Sequence, residues 1–166
     1  MKKAKVINTI LPDNLTIEEK TYLCIGKLTV LYSVLEGNIN LAICEARRPE
    51  AREDLYGMLN KMNFGTKVTH LFQLIDKRPD VTNEIKELFS KWVTDVNKHR
   101  ETRNSFIHGR WGFAGNQEKI FHVQPSVYGQ LGLETISYSI EELIEEVTAS
   151  SLLLNELNEL RSKIGI

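Results

Sequence analysis

Residues 81–109, with the sequence VTNEIKELFSKWVTDVNKHRETRNSFIHG, decide the fold. Apolar residues recur in this stretch at spacings of three and four, the pattern of an amphipathic helix. They are Ile85, Leu88, Phe89, Trp92 and Val96, and the same rhythm then reaches His99, Arg103, Phe106 and Ile107. Gly109 follows, and glycine commonly ends a helix. We therefore expect a core-facing helix that carries polar residues on its last turns.

Helix phase separates the polar residues of this helix end. At about 100° per residue, Arg103 projects near the middle of the apolar stripe, whereas Asn104 and His108 turn toward the polar face. The separation between Arg103 and His108 is about 140°. A buried guanidinium without a partner is costly, so we expect Arg103 to meet a carboxylate, a cleft or a bound anion.

A second long helix is predicted near the start of the chain. The sequence Thr16-Ile17-Glu18-Glu19 is a capping box, in which the first and last residues satisfy free amides at a helix start. The helix should continue to about Ala46, before Pro49. Its expected core positions are Leu23, Leu28, Leu31, Leu35, Ile39 and Ile43.

Three further helices are indicated. A short one fits within Glu50 to Lys61, and a longer one fits Thr66 to Lys77 after a break at Asn63-Phe64-Gly65. Asp80 is a candidate N-cap for the helix that ends in the polar residues. Ser139-Ile140-Glu141-Glu142 is a second capping box and predicts the start of a final helix.

The sequence between the last two long helices is typical of β-strands joined by turns. Trp111 to Phe113 and Lys119 to Val123 predict a hairpin around Gly115-Asn116-Gln117, and Glu134 to Tyr138 predicts a third short strand. At the other end of the chain, residues 1–15 are predicted to form an extended arm, with one brief strand at Lys5 to Leu11.

The expected architecture is a single, mostly α-helical domain over residues 1–166. We predict an up-and-down bundle of four main helices, with a β-hairpin and loop insertion at residues 109–138 before the last helix. A chain of 166 residues can bury most of its apolar surface without disulfides or metals.

Composition narrows the possible partners and cofactors. With 21 basic and 22 acidic residues the net charge is −1, so attraction to RNA would have to be local. Cys24 and Cys44 lie on one predicted helix about 30 Å apart, which predicts reduced core residues. We find no Cys/His spacing typical of zinc sites, and expect neither a metal nor another cofactor.

The sequence also bears on location. Lys2 and Lys3 precede only short apolar pairs, so a signal peptide is not expected. The chain has no apolar run near 18 residues, which argues against a membrane span. The expected location is the cytoplasm.

The polar helix end carries the residue types that RNA cleavage requires. An imidazole exchanges protons near neutral pH, and a guanidinium stays charged and binds phosphate through a planar fork. Asn104 lies one turn before His108, where its amide could orient the imidazole or a phosphate oxygen. Arg103, Asn104 and His108 are therefore the candidate catalytic residues.

The hexapeptide Arg103-Asn104-Ser105-Phe106-Ile107-His108 resembles the signature of the HEPN superfamily. The resemblance implies a helical-bundle fold and, for many members, metal-independent endoribonuclease activity at a composite site formed by two facing motifs. This chain carries one motif, so a homodimer is expected. For a small domain the resemblance also implies a toxin or phage-defence effector, restrained by a cognate antitoxin or regulatory protein. The insertion between Trp111 and Tyr138 departs from the simplest members.

Basic residues around the motif are candidates for RNA binding. They are Lys98, His99, Arg100 and Arg110, opposed along the sequence only by Glu101. Trp111 follows directly and could stack on bases of single-stranded RNA. Alternatively, the charges are a solvated helix end favoured by the helix dipole, and Trp111 packs the hairpin onto the bundle.

Two other interpretations of the motif stay open. The chain could be a non-catalytic HEPN-like module that binds a nucleotide or a protein partner. Arg103 could also be purely structural and pair with a carboxylate from another helix, for which the candidates are Glu36, Glu45, Glu142 and Glu146.

Overall fold

The computed structural model describes residues 11–47, 52–108, 110–113, 120–125 and 133–166. These residues are mostly helical and include a small antiparallel sheet before the last helix, which confirms the predicted fold class. The elements are α1 (Ile17–Ala46), α2 (Arg52–Leu59), α3 (Phe64–Asp76), α4 (Asn83–His108), β1 (Arg110–Phe113), β2 (Ile120–Pro125), β3 (Leu133–Tyr138) and α5 (Ile140–Lys163).

Both predicted capping boxes are confirmed. At the start of α1, the Thr16 amide donates to Glu19 Oε2 at 2.8 Å, and the Glu19 amide donates to Thr16 Oγ1 at 3.3 Å. At the start of α5, Ser139 and Glu142 exchange the same two bonds at 2.8 and 3.2 Å. Each pair satisfies two amides that have no partner within the helix.

The other two long helices begin differently from the prediction. Asn63 caps α3, because its Oδ1 accepts from the Thr66 amide at 2.9 Å, and the helix therefore starts at Phe64. The prediction that Asp80 is the N-cap of α4 is wrong. It pairs with Arg78, whereas the Thr82 hydroxyl accepts from the Ile85 amide at 3.4 Å.

Contacts within the described chain cluster into two compact units. One, called here the motif unit, contains residues 11–30 and 99–150, and the other, the bundle unit, contains Leu31–Lys98 and Ser151–Ile166. The unit boundaries fall inside α1, α4 and α5. The prediction of one domain over residues 1–166 stays a prediction.

The bundle unit has an apolar core drawn from five helices. Its fully buried side chains include Ile39 of α1, Leu59 of α2, Leu71 of α3, Phe89 of α4 and Leu157 of α5. Among them lies Trp92, whose Nε1 donates to the Leu153 carbonyl at 2.9 Å. That bond satisfies the one polar atom of the largest core side chain.

Two ion pairs join helices in the bundle unit. The Lys67 ammonium, which is almost fully buried, lies 2.5 Å from a Glu36 carboxylate oxygen. Arg161 lies 2.6 Å from Glu45. Burial of the Lys67 charge is tolerable because the carboxylate accompanies it.

The motif unit contains the sheet, in the order β1-β2-β3. Trp111 is paired with His122 and then Ile136, and Phe113 is paired with Ile120 and then Tyr138. These six positions share one face because strand residues alternate between faces. Ile120 and His122 are completely buried there, so this is the inner face of the sheet.

Some expected core positions are wrong. Leu23 is 41% exposed and Leu88 is 39% exposed. In α1 the buried positions of the first turns are Thr21, Cys24 and Leu28, and Leu23 lies about 100° from Cys24. The positions of the leucines alone therefore predicted the wrong buried face of the helix. Both cysteines are buried free thiols, as predicted, and burial raises the pKa of Cys24 to about 11.

Several predictions lie outside the described residues. These are the strand at Lys5 to Leu11, apart from its last residue, and the hairpin turn at Gly115-Asn116-Gln117. Across the described ranges, no helix has the length and apolar character needed to cross a membrane.

Replacing Ile39 by alanine should destabilise the fold by about 2–5 kcal/mol, because the cavity would form in a fully buried site. Urea denaturation measures this loss. Leu152→Ala is the control, since Leu152 is 56% exposed on α5 and should change the free energy of unfolding by no more than about 0.5 kcal/mol. Equal losses in the two variants would contradict the placement of the core.

Candidate functional site

The three candidate catalytic residues lie on the last turns of α4, which remains a regular α-helix up to His108. The side chains therefore keep the separation expected from helix phase, about 140° between Arg103 and His108. Burial agrees with this phase. Phe106 is buried, Arg103 is half-buried, and Asn104 and His108 are exposed.

A hydrogen bond brings the Arg103 guanidinium closer to the side of α4 that bears His108. Arg103 Nη1 donates to Asn104 Oδ1 at 2.9 Å, so the guanidinium bends around the helix toward the exposed face. Asn104 and His108 are one turn apart and differ by about 40° in direction. The positive charge of Arg103 is thus held beside a residue that neighbours the imidazole.

His108 is exposed, as Asn104 is. Within the part of the chain that the structure describes, no hydrogen bond or ion pair engages its imidazole. The side chain is exposed to solvent.

His99 meets a carboxylate that the sequence did not reveal as a neighbour. Its Nδ1 lies 2.7 Å from Glu146 Oε1, and both side chains are largely buried. Glu146 comes from α5, 47 residues along the chain, so inspection of the charges on α4 could not find it. The pair brings a negative charge to the basic helix end.

The four carboxylates proposed as structural partners of Arg103 have other described partners. Glu36 and Glu45 pair with Lys67 and Arg161, Glu142 caps α5, and Glu146 pairs with His99. The described contact of Arg103 is the bond to Asn104, and the residue takes part in further interactions as well.

The structure brings only some of the predicted RNA-binding residues together. Arg100 lies one turn before Asn104 and two turns before His108, so these three side chains project from one side of α4. Lys98 points about 120° away from Asn104 and belongs to the bundle unit. Arg110 is exposed at the start of β1 and lies on the opposite face of the sheet from Trp111.

Trp111 packs against the end of α4. Its Nε1 donates to the Phe106 carbonyl at 2.9 Å, and its ring centroid is 5.3 Å from that of Phe106. The interpretation of Trp111 as a packing residue agrees with these contacts. Trp111 is half-buried, and its stacking on RNA bases stays a prediction.

His122 is a buried titratable residue that sequence reasoning missed. It is 0% exposed, and its ring lies 4.5 Å from Trp111 and 6.0 Å from both Phe106 and Tyr138. Burial lowers the pKa of His122, and the backbone of Ser105 opposes this with a smaller effect. The alternation of Ile120 and His122 on β2 was the available signal that the imidazole faces inward.

The described residues contain no group of three or more His, Cys, Asp and Glu side chains arranged to hold a metal ion. The expected absence of metals and cofactors stays a prediction. The donors present at the end of α4 are instead a guanidinium, an amide and an imidazole. These groups suit an anionic ligand with exchangeable protons.

Comparison with protein-family models, curated proteins and solved structures finds no match to this chain.

Acidification should destabilise the protein partly through His122. Because the folded-state pKa is lowered, the unfolded chain binds more protons below its own pKa of about 6.5. Stability should therefore be complete above about pH 6.5 and decrease as the pH falls toward the folded-state pKa.

His122→Phe keeps an aromatic ring in the cluster and removes the titrating group. Its urea midpoint should fall less than that of the original protein between pH 7.5 and pH 5.5. The comparison cancels the contribution of His70, whose pKa burial also lowers. An identical fall in both proteins would show that His122 is not the acid-sensitive group.

Proposed function

We propose that this protein is a metal-independent endoribonuclease of the HEPN type, acting on single-stranded RNA. The hydrogen bond between Arg103 and Asn104 is the observation that carries the proposal. It holds a fixed positive charge on the side of α4 that bears the exposed His108. Neighbouring turns of one helix can therefore bind a phosphate and supply a group that exchanges protons.

The proposed reaction is a transesterification within the RNA strand. A base removes the proton of the 2′-hydroxyl, whose oxygen attacks the adjacent phosphorus, and the bond to the 5′-oxygen breaks. An acid protonates the departing 5′-oxygen. The products are a 5′-hydroxyl end and a 2′,3′-cyclic phosphate end. No metal enters these steps.

Each side chain has a separate task in this reaction. His108 transfers protons, and Arg103 neutralises the charge that develops on the phosphate. Asn104 positions the guanidinium through the bond described above. Its own amide nitrogen remains a donor that can meet a phosphate oxygen.

One imidazole cannot serve as base and acid in the same step, because the two protons move on opposite sides of the phosphorus. A second copy of His108 supplies the missing group if two chains face each other. We therefore include a homodimer with a composite site in the proposed function. This arrangement agrees with what the resemblance to HEPN ribonucleases implies.

The proposed RNA path follows the residues nearest to the motif. Arg100 shares the side of α4 that carries Asn104 and His108, and Arg110 extends the positive charge beyond the helix end. Lys98, His99 and Trp111 contribute less in this proposal. Lys98 points about 120° away from Asn104. His99 is paired with Glu146, and the Trp111 indole donates a hydrogen bond to the Phe106 carbonyl.

The proposed biological role is that of a toxin or phage-defence effector in the cytoplasm, restrained by a cognate antitoxin or regulatory protein. An RNA-cleaving domain needs such restraint because cellular RNA is a continuous supply of substrate. The non-catalytic alternative, a module that binds a nucleotide or protein, uses the same exposed side of α4 without proton transfer.

His108→Ala should lower RNA cleavage in the presence of EDTA by about a hundredfold or more, the usual range for loss of a general acid-base group. The measurement is the rate of cleavage of a labelled single-stranded RNA. His70→Ala is the matched control, since it removes a half-buried histidine of the bundle unit and should retain activity. Equal cleavage by the His108 variant rules out its role, and RNA binding without products supports the non-catalytic module.

Asn104→Ala should lower kcat/KM by about tenfold, since it removes a hydrogen bond to a charged group worth about 1.5 kcal/mol. The guanidinium would remain but lose its fixed position. Arg103→Lys keeps the charge without the planar fork and should lose at least as much activity. Full activity in both variants would contradict the role given to the Arg103–Asn104 bond.

A further inference from the structure

Phe106 is the centre of an aromatic cluster that joins the sheet to the end of α4. Its ring centroid lies 5.3 Å from that of Trp111 on β1, 6.0 Å from that of His122 on β2 and 4.9 Å from that of Tyr138 on β3. Each strand of the sheet therefore contributes one ring that packs on the same residue of α4. These four residues, called here the aromatic cluster, all belong to the motif unit.

Trp111 also satisfies a backbone group at the end of α4. The last four carbonyls of a helix have no partner within it, and Phe106 lies two residues before His108, the last residue of α4. The Phe106 carbonyl accepts the hydrogen bond of the Trp111 indole at 2.9 Å instead. Packing of the sheet thus stabilises the turn that carries Asn104 and His108.

His122 is an unfavourable residue for the interior of this cluster. Its side chain is completely buried, and neither ring nitrogen makes a hydrogen bond of normal geometry to any residue that the structure describes. The backbone of Ser105 lies near enough to favour the protonated ring, although burial has the larger effect. Buried polar atoms nearly always have a hydrogen-bond partner, and leaving one without a partner is destabilising. Packing alone therefore does not explain an imidazole at this position.

Protonation would place a charge among groups that cannot neutralise it. The neighbours of His122 on the elements packed against it are uncharged. They are Ser105 and Phe106 of α4, Trp111 of β1, and Ile136 and Tyr138 of β3. Among the side chains that the structure describes, none with a charge shifts the titration of His122. The pairing register also places Glu134 of β3 at a position on this face of the sheet.

The aromatic rings compensate only part of the penalty for a buried imidazolium. Attraction of a cation to a ring face is weaker than the loss of hydration of an unpaired buried ion. The lowered pKa of His122 agrees with this balance. An imidazolium exposed to water has no such penalty, so protonation favours states in which His122 has left the cluster.

We propose that His122 is a pH-dependent switch, in which binding of a proton releases the sheet from the end of α4 and breaks the bond between Trp111 and the Phe106 carbonyl. The sheet stays packed above about pH 6.5, the pKa of an exposed imidazole, and is released more often as the pH falls below it. Between pH 7.5 and pH 5.5 the ratio of released to packed molecules rises by about tenfold at most.

Release of the sheet acts on the candidate site through the last turn of α4. Without Trp111 the Phe106 carbonyl loses its partner, and a helix end without such partners frays. Asn104 and His108 then lose their fixed positions. Control of RNA cleavage by this switch rests on the proposed function, whereas release of the sheet does not.

Hydrogen exchange of the two tryptophan indoles, followed by NMR, tests the switch in the unaltered protein. The protection factor of the Trp111 indole hydrogen, the ratio of its intrinsic to its observed exchange rate, should fall about five- to tenfold from pH 7.5 to pH 5.5. Trp92, whose indole donates to the Leu153 carbonyl in the bundle unit, is the internal control. Its protection should change by less than about twofold. Constant protection of Trp111, or an equal fall for both indoles, overturns the proposal.

Two substitutions assign the effect to the His122 imidazole. His122→Phe keeps a ring in the cluster and removes the group that binds the proton, so protection of Trp111 should be the same at both pH values. His122→Leu also removes that group and introduces a smaller side chain, in case phenylalanine does not fit. A five- to tenfold fall that persists in either folded variant contradicts the role of His122.

Glu134→Gln and His108→Ala separate the switch from other titratable groups. The first removes the carboxyl group placed on the same face of the sheet, and the second removes the exposed imidazole at the end of α4. Both variants should keep the fall in Trp111 protection, because burial of His122 is unchanged in them. Loss of the fall in either one would show that another group is the switch.

Cleavage of a labelled single-stranded RNA connects the switch to the proposed function. From pH 7.5 to pH 5.5 the cleavage rate should decline at least about twofold more in the original protein than in His122→Phe, since His108 titrates in both. Equal declines would refute control of the site by the sheet. A fall in Trp111 protection in a protein that cleaves no RNA refutes the proposed function and leaves the switch standing.

Discussion

The regular phase of α4 is the constraint on which the candidate site depends. In its last turns the helix buries Phe106 and presents Asn104 and His108 to solvent. Any change of register that moved His108 would also move Phe106 out of its contacts with Trp111, His122 and Tyr138. The position of the imidazole is therefore stabilised by the burial of an aromatic ring in the same unit.

Local patterns in the sequence determined most of the fold, because capping and amphipathicity act between residues a few positions apart. The motif residues were found in the same way. The contact between His99 and Glu146 joins positions 47 residues apart, and the burial of His122 depends on a sheet packed against Phe106. Neither is encoded in the periodicity of one helix.

The errors at Leu23 and Leu88 have a common physical origin. An apolar residue at roughly helical spacing was assigned to the core, although folding leaves much apolar surface exposed in any protein. In α1 the burial of Thr21 and Cys24 shows that phase, rather than side-chain hydrophobicity, decided which face turned inward.

The two tryptophans lie in different compact units, Trp92 in the bundle unit and Trp111 in the motif unit. Trp92 is almost completely buried, whereas Trp111 is half-buried with its ring 4.5 Å from His122. Each unit consequently has its own fluorescent reporter, and the two differ in the polarity of their surroundings. Proteins with a single tryptophan, obtained by changing the other to phenylalanine, would show whether the two units unfold as one cooperative system or in separate transitions.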